Sequence, residues 1–305
     1  MSRVLIVPSL FAAALLTWLW VSGGFDALAA WAAGEQRGFQ NDMALGLRAL
    51  RTGEPGAVTA LLSICFAYGF FHAIGPGHGK VLIGGYGLGR QVPWLRLSVI
   101  SLLASLGQAV TAVALVFVGV TLFGLARDQM IGVTEDIMAP ASYGAIGLIG
   151  GWLIWRGVRK SWQRDPPLAH SHAHTHHHDA NATCHTCGHK HGPDLDEVEG
   201  ARSLREALIL IGGIAIRPCT GALFLLIITS QMGVFGAGVA GAFAMALGTA
   251  TVTIGVALAS VGMRGGLMSG LQGSAVLAWV IPAIEILAGL LIAVIATGLF
   301  LRAIA

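Results

Sequence analysis

Apolar residues run along this chain in long blocks, with few of the one-faced or alternating patterns of water-soluble helices and strands. A helix needs roughly 20 apolar residues, within a range of about 17–25, to cross a bilayer. Seven stretches meet that length, near 4–22, 57–75, 97–125, 137–155, 206–229, 233–262 and 277–301. The first follows Arg3 and precedes Ala27-Leu28-Ala29, a small-residue run of the kind found at cleavage sites. Its apolar run is long for a signal peptide, so it reads as an uncleaved span. Between 31 and 56 the blocks give way to Phe39, Met43, Leu47 and Leu50 at helical spacing. That pattern predicts a short amphipathic helix, lying on the membrane surface or packed on the span ends.

The predicted architecture is an all-α polytopic membrane protein. Residues 1–30 form an N-terminal span or signal anchor, and 31–56 a periplasmic amphipathic segment. Residues 57–155 form a first three-helix half, 156–205 a cytoplasmic His-rich metal-binding loop, and 206–305 a second three-helix half. Three spans per half make the halves run in opposite directions, so the six core helices read as a 3+3 inverted repeat. The first helix of each half is interrupted, by Gly75-Pro76-Gly77 and by Pro218 with Gly221. Paired broken helices at corresponding positions point to a transporter's binding site.

Composition strengthens this picture. Hydrophobic residues make up 55% and charged residues 11% of the chain, against about 25% charged in a soluble domain. The 43 glycines suit close helix packing in lipid. These values exclude a soluble enzyme, a disordered chain and a disulfide-stapled module. The net charge of +3 reflects an uneven distribution. Arg3, Lys80, Arg90, Arg96, Arg156, Arg159, Lys160, Arg164, Lys190, Arg202, Arg205 and Arg264 fall on one side of the spans. Arg37, Arg48, Arg51, Arg127 and Arg302 fall on the other. The positive-inside rule makes the richer side cytoplasmic. No basic-aromatic patch suggests nucleic acid. No GxxxxGK[ST] sequence occurs, so ATP is not hydrolysed by that route.

Three constellations carry chemistry. The tract 170–191 holds His170, His172, His174, His176, His177, His178, Cys184, His185, Cys187, His189 and His191, with Asp179 among them. Imidazole and thiolate donors suit Ni, Co, Zn and Cu, and the spacing is too compressed for a zinc finger. Loop-bound Zn²⁺ or Ni²⁺ is the expected occupancy, with no permanently bound cofactor. The second constellation is His72 and His78 around Gly75-Pro76-Gly77. Six residues of a straight helix would not bring the two imidazoles to one face, but a break there lets them converge on one ion. Ionisable groups inside a span point to function. The third is Arg217-Pro218-Cys219. Cys219 offers a soft ligand beside a carbonyl freed by Pro218, and Arg217 needs a partner, for which Glu285 is the expected acid. Gln108, Thr111, Met245, Thr249, Thr251 and Thr253 are weaker candidates for a path, with packing their alternative role.

The Phe71–Lys80 segment FHAIGPGHGK, the segment IRPCTGA from Ile216 and the His-rich loop between them resemble the nickel/cobalt efflux family of the NicO superfamily. The resemblance covers nearly all of the chain from about residue 55. It implies an inner-membrane exporter of Ni²⁺ and Co²⁺ in which His72 and His78 handle the metal. Related uptake permeases resemble it in their two histidines but place acidic residues between them, where this chain has Gly75, Pro76 and Gly77. Some exporters keep one acid before the Pro, here Gly75, and a third His in the next helix, here Gln108. The implied function is export by alternating access, with the lipid bilayer and divalent ions as partners and room for a homo-oligomer. Neutral imidazoles that protonate near neutral pH would couple release to a proton gradient. Alternatives are uptake of the same ions, a thiol-redox carrier using Cys65 and Cys219, and a membrane-seated metal sensor or store.

Overall fold

The computed structural model describes residue 18 and residues 21–75, 78–162, 195–270 and 277–304. The described residues are almost entirely helical and contain no strand. Helix α1 spans Gly24–Thr52, α2 Ala57–Ile74, α3 His78–Gly89 and α4 Trp94–Thr121. After α5 (Arg127–Gly132), a π-helical turn over Val133–Met138 leads without interruption into α6 (Ala139–Trp162). The second half comprises α7 (Leu195–Ala215), α8 (Thr220–Gln231), α9 (Phe235–Gly270) and α10 (Leu277–Ile304).

Five helices are long and apolar enough to cross a membrane, or six if the bent pair 204–215 and 220–231 counts as one span. The angle between that pair is 61°. The apolar blocks predicted at 57–75, 97–125, 206–229, 233–262 and 277–301 correspond to α2, α4, α7–α8, α9 and α10. The block at 137–155 belongs to a longer helix over 127–162. The predicted span 4–22 falls almost wholly outside the described residues.

Two expectations change. The predicted block ends at 75, yet the stretch from His78 is a further 12-residue helix packed against α9 and α10. Of the two readings for residues 31–56, the packed helix is the nearer, but it is long, at 29 residues, and runs along a span. Helix α1 lies antiparallel along α2, with Gly46 against Leu61 and Ile64, Gln40 bonded to Tyr68 and Trp31 edge-on to Phe71. Its apolar stripe of Met43, Leu47 and Phe39 joins the core instead of lipid.

Glycines let the spans approach closely, as small residues do in membranes. A side chain at Gly69 would overlap the Met245 backbone, and one at Gly248 the Phe66 and Phe70 backbone, so α2 and α9 touch main chain to main chain. Gly150 of α6 and Gly289 of α10 do the same for their pair. Outward faces carry exposed apolar residues such as Leu148, Leu290 and Val294, a surface that only lipid would cover. The interior divides into two apolar clusters. One gathers Leu61, Tyr68, Val116, Leu223 and Met245. The other gathers Leu82, Leu97, Leu153, Leu210 and Ile292.

Candidate metal pathway

A cavity of about 270 Å³ lies at the seam between those clusters. Both helix breaks open onto it. His72, Gly79 and Lys80 come from the first break, and Arg217, Pro218, Cys219 and Thr220 from the second. Ser101, Ser105 and Gln108 of α4 and Thr249 and Thr253 of α9 supply the remaining polar wall. The cavity is therefore built from both halves of the chain.

Local chemistry explains the second break. Pro218 has no N–H to give the carbonyl four residues back, that of Ile214. Gln108 supplies the missing donor, its Nε2 lying 3.2 Å from the Ile214 oxygen. The neighbouring orphan carbonyl, Gly213, accepts the Ser142 hydroxyl at 2.6 Å. At the first break the Lys80 ammonium donates to the Gly75 carbonyl. These three oxygens, including the carbonyl freed by Pro218, each already accept a hydrogen bond. Each retains a second lone pair.

Cys219 is the N-cap residue of α8, and the amides of Gly221 and Ala222 lie close to its sulfur. The His72 ring is near enough to the thiol to share a hydrogen bond. It also stacks on Tyr68, with ring centres 5.9 Å apart and planes 9° from parallel. Tyr68 fits because residue 221 is glycine, for a Cβ there would enter the phenol ring. The second partner of His72 comes from α1. Gln36 Nε2 donates to the Ala32 carbonyl at 3.2 Å, leaving Gln36 Oε1 to accept from His72 Nδ1 at 3.1 Å. With the Gln36 oxygen as acceptor the proton sits on Nδ1, and Nε2 faces the Cys219 thiol. An imidazole held in this way is the usual arrangement of a metal-ligating histidine. Sequence reasoning missed Gln36 and Gln40, because two glutamines on a polar-looking helix carry no spacing signal.

The sequence-predicted residues separate clearly. His72, Cys219, Arg217, Gln108, Thr249 and Thr253 meet at the cavity. Thr111 bonds back to Gly107, Thr251 is exposed and bonds back to Leu247, and Met245 belongs to the core. His78 opens α3 at the break, but its side chain lies outside the described residues. So does the whole tract 170–191. Cys65 is buried against Gly241 and does not line the cavity, and among the described residues both Cys65 and Cys219 are free thiols. No group of three or more His, Cys, Asp or Glu converges on one point among the described residues.

The expected Arg217–Glu285 pair is not formed. Arg217 donates to Glu135 at 3.0 Å, bonds the Tyr143 hydroxyl and lies over the Tyr143 ring at 5.1 Å. Glu135 was overlooked because it precedes the apolar block. The π-helical turn carries it on the same continuous helix as Tyr143. Glu285 is 1% exposed and instead holds Lys160 at 2.5 Å, with Arg156 Nε at 3.9 Å. The apolar run around Glu285 hid how near that end of α10 lies to the basic end of α6.

The chain is 26% identical over 223 residues to a Haemophilus influenzae protein named "Putative nickel/cobalt efflux system", covering 70% of this chain and 69% of that one. No solved structure matches the chain. A family model described as NicO, High-affinity nickel-transport protein, matches residues 58–305, and the chain thus belongs to this family of membrane nickel and cobalt transporters.

Proposed function

We propose that this chain exports Ni²⁺ and Co²⁺ from the cytoplasm through the cavity at the two helix breaks. The observation that carries the reading is the meeting of His72 and Cys219, one from each broken helix, in a polar cavity between two apolar cores. His72 Nε2 and the Cys219 sulfur take the ion, His78 supplies a second imidazole, and the hydroxyl and amide oxygens of Thr249 and Gln108 complete a weak shell. A transport site must admit its ion yet release it, and a shell with few charged donors meets both demands. Borderline imidazole and thiolate ligands favour Ni²⁺ and Co²⁺ over Mg²⁺ or Ca²⁺.

The direction rests on the side expected for the His-rich tract. The helix ends rich in Arg and Lys are cytoplasmic by the positive-inside rule, which puts the tract 170–191 in the cytoplasm, where it gathers ions for export. The order of elements repeats: broken pair α2–α3, long α4, long α5–α6, then broken pair α7–α8, long α9, long α10. We take this as an inverted repeat in a bacterial inner-membrane protein, with rocking of the halves alternating the access. Protonation of the imidazoles releases the ion on the far side.

Inside-out membrane vesicles test this. Vesicles bearing the wild-type chain accumulate Co²⁺, faster with an acidic lumen that exchanges protons outward, and His72→Ala with Cys219→Ser abolishes the signal. Accumulation by right-side-out vesicles alone would establish uptake instead. Indifference to the pH gradient would remove proton coupling.

A further inference from the structure

A second cavity, of about 1250 Å³, lies at the basic ends of the helices. It exceeds the roughly 300–1,000 Å³ of a site for a small drug-like ligand. Its walls carry Arg90, Arg96, Arg156, Arg159, Lys160 and Arg205 against one lining carboxylate, Glu206. Glu206 is engaged by Arg90 at 3.1 Å and by the Tyr86 hydroxyl at 2.8 Å. Glu285, behind the wall, takes Lys160. Among the described residues, six cations and two carboxylates thus meet here, and positive charge predominates. Gathering like charges at a partly desolvated place is costly unless an anion joins them. Arg156 Nη1 is enclosed and donates to nothing among the described residues.

The rim is of a different kind. Leu148 is 77% exposed, and Trp155 and Ile209 are also exposed; all three line the same cavity. Arg90 and Arg156 lie over the Trp152 ring at 5.5 and 5.6 Å, and Arg159 lies over Trp155 at 5.5 Å. Exposed Trp94 and Trp162 sit at the adjoining ends of α4 and α6, the level at which tryptophan marks a membrane interface. A cationic floor with an apolar rim at that level matches an amphiphile. A water-soluble anion would have no use for the rim, whereas basic pockets between spans at the cytoplasmic face hold anionic lipid headgroups.

We propose that this cavity binds the phosphate of an anionic phospholipid, with the acyl chains along Leu148 and Ile209. The site stands apart from the ion pathway and requires neither a metal nor a transport direction. The test uses the detergent-purified full chain and native mass spectrometry. It is titrated with phosphatidylglycerol, with phosphatidylcholine of the same acyl chains, and with inorganic phosphate. Arg159→Gln with Arg205→Gln removes two exposed cations and leaves the folded interior untouched; Arg156→Gln is the companion variant. Phosphatidylglycerol is expected to bind in preference to the other two. The double variant should weaken it roughly 25-fold, at about fivefold per arginine, and raised salt should weaken it further. Equal binding of the two lipids, or unchanged binding in the double variant, would overturn the proposal. Saturation by inorganic phosphate at the same concentrations would also overturn it, by making the site one for a free anion.

Discussion

Gln36→Leu removes the acceptor that holds the His72 ring. The bond is 3.1 Å long, and the net worth of a typical hydrogen bond is about 0.5–1.5 kcal/mol. Loss of such a partner behind a ligating histidine lowers metal affinity by roughly 10–100-fold. The two ranges meet near tenfold, about 1.4 kcal/mol. The expected result is a tenfold rise in the KM for Co²⁺ in proteoliposomes, with a smaller change in maximal rate. The melting temperature should change little, because Gln36 is only half-buried and leucine fills similar volume. Gln36→Glu keeps the acceptor and should retain most of the affinity. A wild-type KM in Gln36→Leu would refute the reasoning, since His72 would then need no partner from α1. A raised KM in Gln36→Glu equal to that of Gln36→Leu would show that side-chain shape, and not the hydrogen bond, mattered.

Further expectations follow from the packing and the ion pairs. Gly150→Ala places a Cβ 2.7 Å from Ala293 N and 2.9 Å from the Gly289 oxygen, so α6 and α10 must separate. Overpacking of this kind costs about 1–3 kcal/mol, read as a lowered midpoint of thermal unfolding in detergent. Glu135→Gln leaves the Arg217 guanidinium without its carboxylate, whereas Glu135→Gln combined with Arg217→Gln removes both charges. The double variant should be at least as stable as the single one, and strictly additive losses in a thermal-melt cycle would contradict the pairing. If the tract gathers ions and the cavity moves them, as proposed, deletion of 170–191 should raise the KM for Ni²⁺ and Co²⁺ without abolishing transport. Complete loss in vesicles with normal expression would make the tract part of the path.

The apolar blocks were legible because a bilayer demands a fixed length of apolar chain; α2, α4 and α10 were read to within a few residues, while α9 runs on to Gly270. The two breaks were legible because Pro218 and the Gly75–Gly77 run interrupt those blocks. His72 and Cys219 stood out because ionisable and soft groups are rare there. Pairings across the structure were less legible. Arg217 has acids at several sequence distances, and only the packing of α6 beside the second break selects Glu135 over Glu285. Helix α1 was left open between a membrane-surface and a packed position because its stripe of Phe39, Met43 and Leu47 fits lipid as well as it fits α2. Gln36 gained significance only once that helix was laid against His72.

Export through the cavity at the helix breaks is tested most directly by cell-associated nickel and cobalt in a metal-sensitive bacterium. Wild-type chain, His72→Ala with His78→Ala, and the 170–191 deletion are compared at equal expression. The wild-type chain should lower both metals, the double variant should lose the effect, and the deletion should weaken it. A rise in cellular metal with the wild-type chain would contradict export and make the cavity an uptake route. An unchanged level with the double variant would contradict the assignment of the path to these histidines.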